Sequence, residues 1–299
     1  MAITLIATVV ALVLGHVAPA VINAMRHYGW FESLLRGYNA RFPEGSFWHG
    51  RAGLLLALLP PLLLVLLFQL ALDEPMLGIP ALLFGTLVLI YCWGPRDLDL
   101  DVDTIVQAPD AAARRQAAAA LYAEGSEPSL EPTRLVEAVF RNALRRWFGV
   151  LFWFMVLGPF GALLYRLTAL AVDGPGARVL PPGTLAGAQA LLKVLDWPVA
   201  QLLTLALALV GNFDVVLEAW RNGGGAAFDL DAPFLETVAR ASVKSDLADE
   251  AADYADVDGM PVPALGELPE LRDAMSLVWR SLLAWLAVLA LFVIAGFVS

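Results

Sequence analysis

Apolar residues run along this chain for lengths that alternating core and surface positions do not reach. The first run, Ala2 to Ile22, is interrupted only by the uncharged polar residues Thr4, Thr8 and His16. At about 1.5 Å per residue it can cross a hydrocarbon core of roughly 30 Å. Met1 to Val10 carries no positive charge, so the run predicts a retained helix, not a secretory signal, which would open on a basic segment. Ala52 to Leu72, containing Pro60 and Pro61, predicts a second span, and Met76 to Trp93 a third. Only Asp73, Glu74 and Pro75 lie between them, which predicts a helical hairpin. Trp147 to Val172 predicts a fourth span. A fifth covers about 190–213, from Pro198 to Phe213 extended backward through Ala186 to Val194, and a sixth covers Trp279 to Val298. The expected fold is all-α: one polytopic transmembrane bundle of about six spans over 1–299, with a cytoplasmic helical insert at 94–146 and a polar connection at 214–278.

Positive charge orients the spans, because short cytoplasmic loops collect Lys and Arg. Asn23 to Arg51 contains Arg26, Arg36, Arg41 and Arg51, and Gly94 to Arg146 contains seven arginines, whereas Asp73-Glu74-Pro75 has none. With both basic loops inside, six crossings also bring 214–278 inside. Of the 19 Lys and Arg, only Arg166, Arg178 and Lys193 are then left outside. A fifth run that is merely buried or re-entrant would move the last segment to the other side.

Composition narrows the chemistry. The chain is 59% hydrophobic and 16% charged, against roughly 25% charged in soluble domains, so its main partner is the lipid bilayer. A net charge of -10 with no basic patch excludes nucleic-acid binding. The single cysteine, Cys92, excludes an intramolecular disulfide, and with three histidines it falls short of the usual zinc ligand set. Asn222-Gly223-Gly224-Gly225 has no phosphate-loop lysine, and Asp253 to Gly259 lacks the spacing of a calcium loop.

The polar segments hold the candidate chemistry. Asp97, Asp99, Asp101 and Asp103 alternate, so in an extended strand they would share one face, where magnesium could relieve their repulsion. A solvated acidic turn leading into Thr104 to Gln107 fits the same residues. An Ala-rich stretch from Pro109 predicts a soluble helix ended by Gly125, and a second helix starts near Pro132, where proline suits the first turn, and runs to Trp147. Arg134, Glu137, Arg141 and Arg145 share one face of that helix. They could form a surface ion-pair stripe or bind an anionic head group or phosphate. Arg166 could snorkel to the interface, Asp196 could cap the helix containing Pro198, and His16 lies inside the first span. Asp246 to Asp258 reads as a solvated, mobile connection to the last span.

Leu151-Phe152-Trp153, Gly158-Pro159-Phe160-Gly161-Ala162-Leu163-Leu164-Tyr165-Arg166 and Leu195-Asp196-Trp197-Pro198, in that order, resemble the CobD/CbiB superfamily of integral membrane proteins, and within it the AmpE branch. The resemblance extends over most of the chain. It implies a multi-pass protein of the bacterial inner membrane that regulates induction of a chromosomal β-lactamase. It also implies linkage to a cytoplasmic amidase that degrades recycled cell-wall anhydromuropeptides. A peptidoglycan fragment or other small anion, or a protein of cell-wall recycling, would be the partner. Glu137, Arg141, Asn142, Arg145, Tyr165, Arg166 and Asp196 would form the binding face, without catalysis and with no resident cofactor. The enzymatic branch, the adenosylcobinamide-phosphate synthases, implies instead an ATP- and magnesium-dependent, amide-forming ligase, with Asp97, Asp99 and Asp101 at the metal. That branch has Glu-Thr-Val-Ala-Glu-Asn-Leu-Ser-Asp-Gly before its Leu-Phe-Trp. Here Glu137 and Asn142 match, but the second glutamate falls on Arg141 and the aspartate on Arg145. Two carboxylates have become two cations, which opposes magnesium and ATP. The Asn-Thr-Leu-Asp-Ser-Met stretch is also missing after Arg166. A transporter is less favoured, since Pro60-Pro61 is a single interruption and not one of a repeated pair.

Overall fold

The computed structural model describes residues 6–11, 26–72, 78–94, 97–123, 126–174, 176–255 and 268–295. The chain is all-helical over these residues and divides into two compact units. Unit 1 comprises Met1–Arg96, Arg145–Asp196 and Leu289–Ser299, and unit 2 comprises Asp97–Leu144 and Trp197–Val288. Among the described residues three helices are long and apolar enough to cross a membrane, Leu54–Ala71, Pro182–Val210 and Pro269–Leu291, with a shorter apolar helix at Ile79–Cys92. Most of the first expected span, including His16, lies outside the described residues, as does Asp73-Glu74-Pro75.

Unit 1 opens with α1 (Gly29–Arg41), followed by α2 (Leu54–Ala71) and α3 (Ile79–Cys92). Eighteen residues give α2 a length of about 27 Å. It buries Leu54, Ala57, Leu58 and Leu62 on one stripe and exposes Leu55, Leu59, Leu63, Leu67 and Leu70 elsewhere, the all-round apolarity of a lipid-facing helix. Pro60 and Pro61 do not end it. The segment before α1 is tied to the end of α3: Tyr28 donates to the Tyr91 carbonyl, Trp30 Nε1 donates to the Tyr91 hydroxyl at 2.6 Å, and Arg26 Nε donates to the Ile90 carbonyl at 3.2 Å.

The fourth apolar run differs from expectation. In place of one span it forms α7 (Gly149–Leu157) and α8 (Pro159–Asp173), separated at Gly158. Nine residues of α7 reach only about 14 Å, half of a hydrocarbon core. Gly158 has φ 68 and ψ -154, a conformation essentially confined to glycine, and Pro159 starts α8 at its first turn. The two helices then run back along each other. A Cβ on Gly161 would strike the Trp153 carbonyl, and one on Gly149 the Tyr165 ring, so small residues let the arms touch. Gln69 of α2 holds the tip, its Nε2 donating to the Leu157 carbonyl at 3.2 Å and its Oε1 accepting from Phe160 N–H at 3.1 Å. These are backbone groups that the break leaves without helical partners. Gly-Pro within an apolar run signals a break; mean hydropathy does not register it.

Arg166 does not snorkel. It is 2% exposed, and its Nε donates to the Cys92 carbonyl at 2.6 Å while Nη2 donates to the Arg146 carbonyl at 3.1 Å. A guanidinium placed on the last carbonyls of α3 suits the negative end of that helix. Pro182–Val210 forms α9, eight residues longer at its start than the expected fifth run. Asp196 therefore lies inside a helix and is not a cap. The start of α9 packs on the connection before α2, where Thr184 donates to the Trp48 carbonyl.

Unit 2 contains α4 (Leu98–Val106), α5 (Ala111–Ala118), α6 (Pro132–Ala143), the second half of α9, α10 (Phe213–Asn222), α11 (Phe234–Ala255) and most of α12 (Pro269–Ile294). Asp110 caps α5, accepting Ala113 N–H at 2.7 Å, and Pro132 begins α6 as expected. Two expectations are corrected here. Asp97 to Asp103 is no strand, because α4 begins at Leu98 with Asp97 as its cap, accepting Asp99 N–H at 3.1 Å. The acidic stretch from Asp246 is helical as far as Ala255, inside α11.

Candidate functional site

The seven candidate binding residues fall into two groups, one in each unit. In unit 1, Arg145 and Asp196 come together with Tyr165. Arg145 Nη1 contacts the Asp173 carboxylate at 2.6 Å and 2.7 Å, and its Nε donates to Asp196 Oδ2 at 3.3 Å. Tyr165 Oη donates to Asp196 Oδ1 at 2.5 Å. Arg145 precedes α7 and Asp173 ends α8, so their pair closes the mouth of the reversed helices. Nearby, Trp153 Nε1 donates to the Leu195 carbonyl at 3.1 Å. One cation faces two carboxylates here. The guanidinium is engaged by protein acids, and the arrangement positions α7, α8 and α9.

Glu137, Arg141 and Asn142 belong to unit 2. Glu137 is buried, its side chain 5% exposed, and it bridges two guanidinium groups: Arg134 Nη1 at 3.0 Å, and Arg240 of α11. Arg141 Nη2 donates to Glu236 Oε1 at 2.7 Å, again from α6 to α11. Helix periodicity brings Arg134, Glu137 and Arg141 onto one face, and α11 supplies the opposing Glu236 and Arg240 at a spacing of four. A π-helical turn at Leu144–Phe148 follows α6, so Arg145 no longer continues the stripe. Asn142 Nδ2 donates to the Leu121 carbonyl at 2.7 Å and the Ala138 carbonyl at 2.8 Å, a structural tie. Tyr122 packs beside this group, and burial pushes its hydroxyl above the usual tyrosine range, opposed by its bond to the Ser129 carbonyl and by the Arg141 charge.

Three arginines alternate here with Glu137 and Glu236, and Glu131 also acts on the Arg134 charge. The Arg134, Arg141 and Arg240 side chains are 62%, 43% and 40% exposed, so their outer N–H groups face solvent. A buried carboxylate bridging two of them fixes their geometry. Such a group can donate N–H groups to carboxylate or phosphate oxygens. Arg240 and Glu236, like Asp173 in unit 1, lie far along the chain from their partners and carry no local signal. Asp97, Asp99 and Asp101 form no ligand cluster: α4 turns them about its axis, and the described residues contain no group of three or more His, Cys, Asp or Glu placed for a metal ion.

A cobalamin biosynthesis protein, CobD, of Stutzerimonas stutzeri (strain A1501) is 27% identical over 271 residues, covering 86% of each chain. No solved structure matches. The family described as "Regulatory signalling modulator protein AmpE" matches residues 49–231. That stretch is more than half of the chain and includes α2 to α10, with the reversed pair of helices and Arg134, Glu137 and Arg141, but not Glu236 and Arg240 of α11. This multi-pass protein of the bacterial inner membrane, distantly related to the CobD/CbiB superfamily, therefore belongs to the AmpE family.

Proposed function

We propose that the protein acts without catalysis, as a membrane component of cell-envelope signalling whose Arg134–Arg141–Arg240 group receives an anionic ligand. The ligand chemistry that fits is a carboxylate-bearing peptidoglycan fragment, and the linked output is β-lactamase induction. The observation that carries this reading is three partly exposed guanidiniums on one surface, those of Arg134 and Arg240 held by the buried Glu137 and that of Arg141 by Glu236. Arg145, Tyr165, Arg166 and Asp196 serve as positioning residues in unit 1. In the test, purified protein is titrated with anhydromuropeptide and thermal stability is followed. Ligand at ten times its Kd adds about 1.4 kcal/mol. Arg134→Ala with Arg141→Ala should abolish that shift and blunt β-lactamase induction in cells. Unchanged shift and unchanged induction in the double variant would overturn the reading.

A membrane ligase of cobalamin biosynthesis is the second reading, favoured by the CobD relative. Against it, the two positions where the synthases carry acids hold Arg141 and Arg145, each paired with acids of this chain. ATP consumption with cobyric acid and an aminoalcohol phosphate would revive it.

For the crossings we infer four, in place of six: the first run, α2, α3 and α12. The fourth run returns to the side it entered, because Arg145 at its start pairs with Asp173 at its end. Ion pairs between Glu137 and Arg240, and between Arg141 and Glu236, support a reading in which α6 and α11 lie on one side. On this reading α9, though apolar enough to cross, also ends on the side where it began. This count supports itself by charge. The outer segments, 1–4, 72–78 and 295–299, contain no Lys or Arg, so none of the 19 falls outside.

A further inference from the structure

Away from the arginine group, unit 2 has an open cavity of about 580 Å³ between α9, α10 and the loop after it, walled by Trp197, Gln201, Leu202, Trp220 and Phe228. Among the described residues no charged side chain lines it. Its polar groups are largely consumed by the walls: Trp220 Nε1 donates to Gln201 Oε1 at 2.8 Å, and Gln201 Nε2 donates to the Gly225 carbonyl at 3.0 Å. One donor remains. Trp197 Nε1 is buried and has no acceptor among the described residues. An indole N–H kept from both water and protein is costly unless something supplies an oxygen. Phe228 is 80% exposed, yet its ring lies 4.6 Å from that of Trp197, so a large apolar side chain forms the outer lip. Leu202 lines the cavity, and Leu205 and Leu209, exposed one and two turns further on, continue the same stripe of α9. That helix is apolar enough for a bilayer.

We propose that this groove holds an acyl chain of a membrane glycerolipid, with the ester carbonyl accepting from Trp197 Nε1 and the chain lying along Leu202, Leu205 and Leu209. An aromatic-walled apolar slot with one placed donor suits a long chain carrying a single neutral acceptor. It does not suit a phosphate or a sugar, since it offers no cation and few free hydrogen-bonding groups. Tryptophans favour the membrane interface, where one end of the ring is apolar and the other meets ester oxygens. This site is separate from the anionic-ligand group and does not depend on that reading.

The test uses the full chain in vesicles of phosphatidylethanolamine and phosphatidylglycerol, with a trace of phosphatidylcholine bearing a photoactivatable diazirine in its acyl chain. After illumination, labelled peptides are mapped by mass spectrometry. The peptides of 197–228 should be labelled well above those of 234–250 in α11. Trp197→Phe keeps the shape but removes the donor, and should lower labelling at 197–228 about threefold to tenfold, the range of one neutral hydrogen bond. Ala227→Trp should fill the groove and suppress this labelling while leaving labelling of α2 unchanged. Labelling at 197–228 no higher than in α11, or equal in wild type and Trp197→Phe, would overturn the proposal even if the filling variant fails to fold.

Discussion

Replacing Gly158 by alanine tests the reversal of the fourth apolar run at its tip. The backbone there, φ 68 and ψ -154, is a conformation that residues with a Cβ adopt at a cost of about 1–3 kcal/mol. A Cβ would also stand 2.8 Å from Gln69 Nε2. Gln69 would have to withdraw from the Leu157 carbonyl and the Phe160 N–H, two bonds contributing roughly 1 kcal/mol each. Together these give a destabilisation of about 3–5 kcal/mol for Gly158→Ala. Gln69→Leu removes the latch without touching the backbone and should cost about 2 kcal/mol. The assay is unfolding in mixed micelles by titration of denaturing detergent, followed by far-ultraviolet circular dichroism. Were the run one continuous helix, alanine would be the better helix former at 158 and Gly158→Ala would stabilise by about 1 kcal/mol. A stabilised or unchanged Gly158→Ala would therefore refute the reversed pair.

Two further perturbations probe the sites. Arg145→Ala leaves Asp173 and Asp196 without their shared cation; because Asp173 is 35% exposed, the buried-pair penalty is discounted to about 2–3 kcal/mol. Adding Asp196→Asn should recover part of it in the same unfolding assay, and strict additivity of the two changes would contradict the coupling. Asp97→Ala removes the cap of α4 and should cost about 1 kcal/mol, with magnesium producing no thermal shift in either protein. A magnesium-dependent stabilisation lost in Asp97→Ala would restore a metal at the aspartates.

Much of the architecture is written locally. The leucine-dense stretch of α2, the cap at Asp110 and the proline opening α6 each depend on neighbours in sequence, and each appears where spacing and residue type place it. Gly158-Pro159 was equally visible as a motif, but hydropathy over 147–172 averages across a turn and reports one span. The candidate site was half legible. Arg134, Glu137 and Arg141 follow helical spacing, whereas Glu236, Arg240 and Asp173 become partners only when distant helices pack. Their neutralising charges change what the arginines can do: Arg145 is occupied by two carboxylates, while the guanidiniums of the unit 2 group stay partly exposed. Charge patterning grouped 94–146 with 214–278, and the ion pairs from α6 to α11 join helices of these two segments.

Sidedness bears most directly on the whole, because a receptor group on the cytoplasmic face requires both polar segments to lie inside. Cys92 is fully buried, so single cysteines can be introduced against a quiet background. Glu218→Cys on α10, Ala112→Cys on α5 and Gly37→Cys on α1 would be treated in intact spheroplasts with a membrane-impermeant maleimide, then again after permeabilisation. All three should label only after permeabilisation, as four crossings with every Lys and Arg inside require. Labelling of Glu218→Cys from outside, with the other two protected, would mean that α9 crosses and would contradict the shared face on which the arginine group is built.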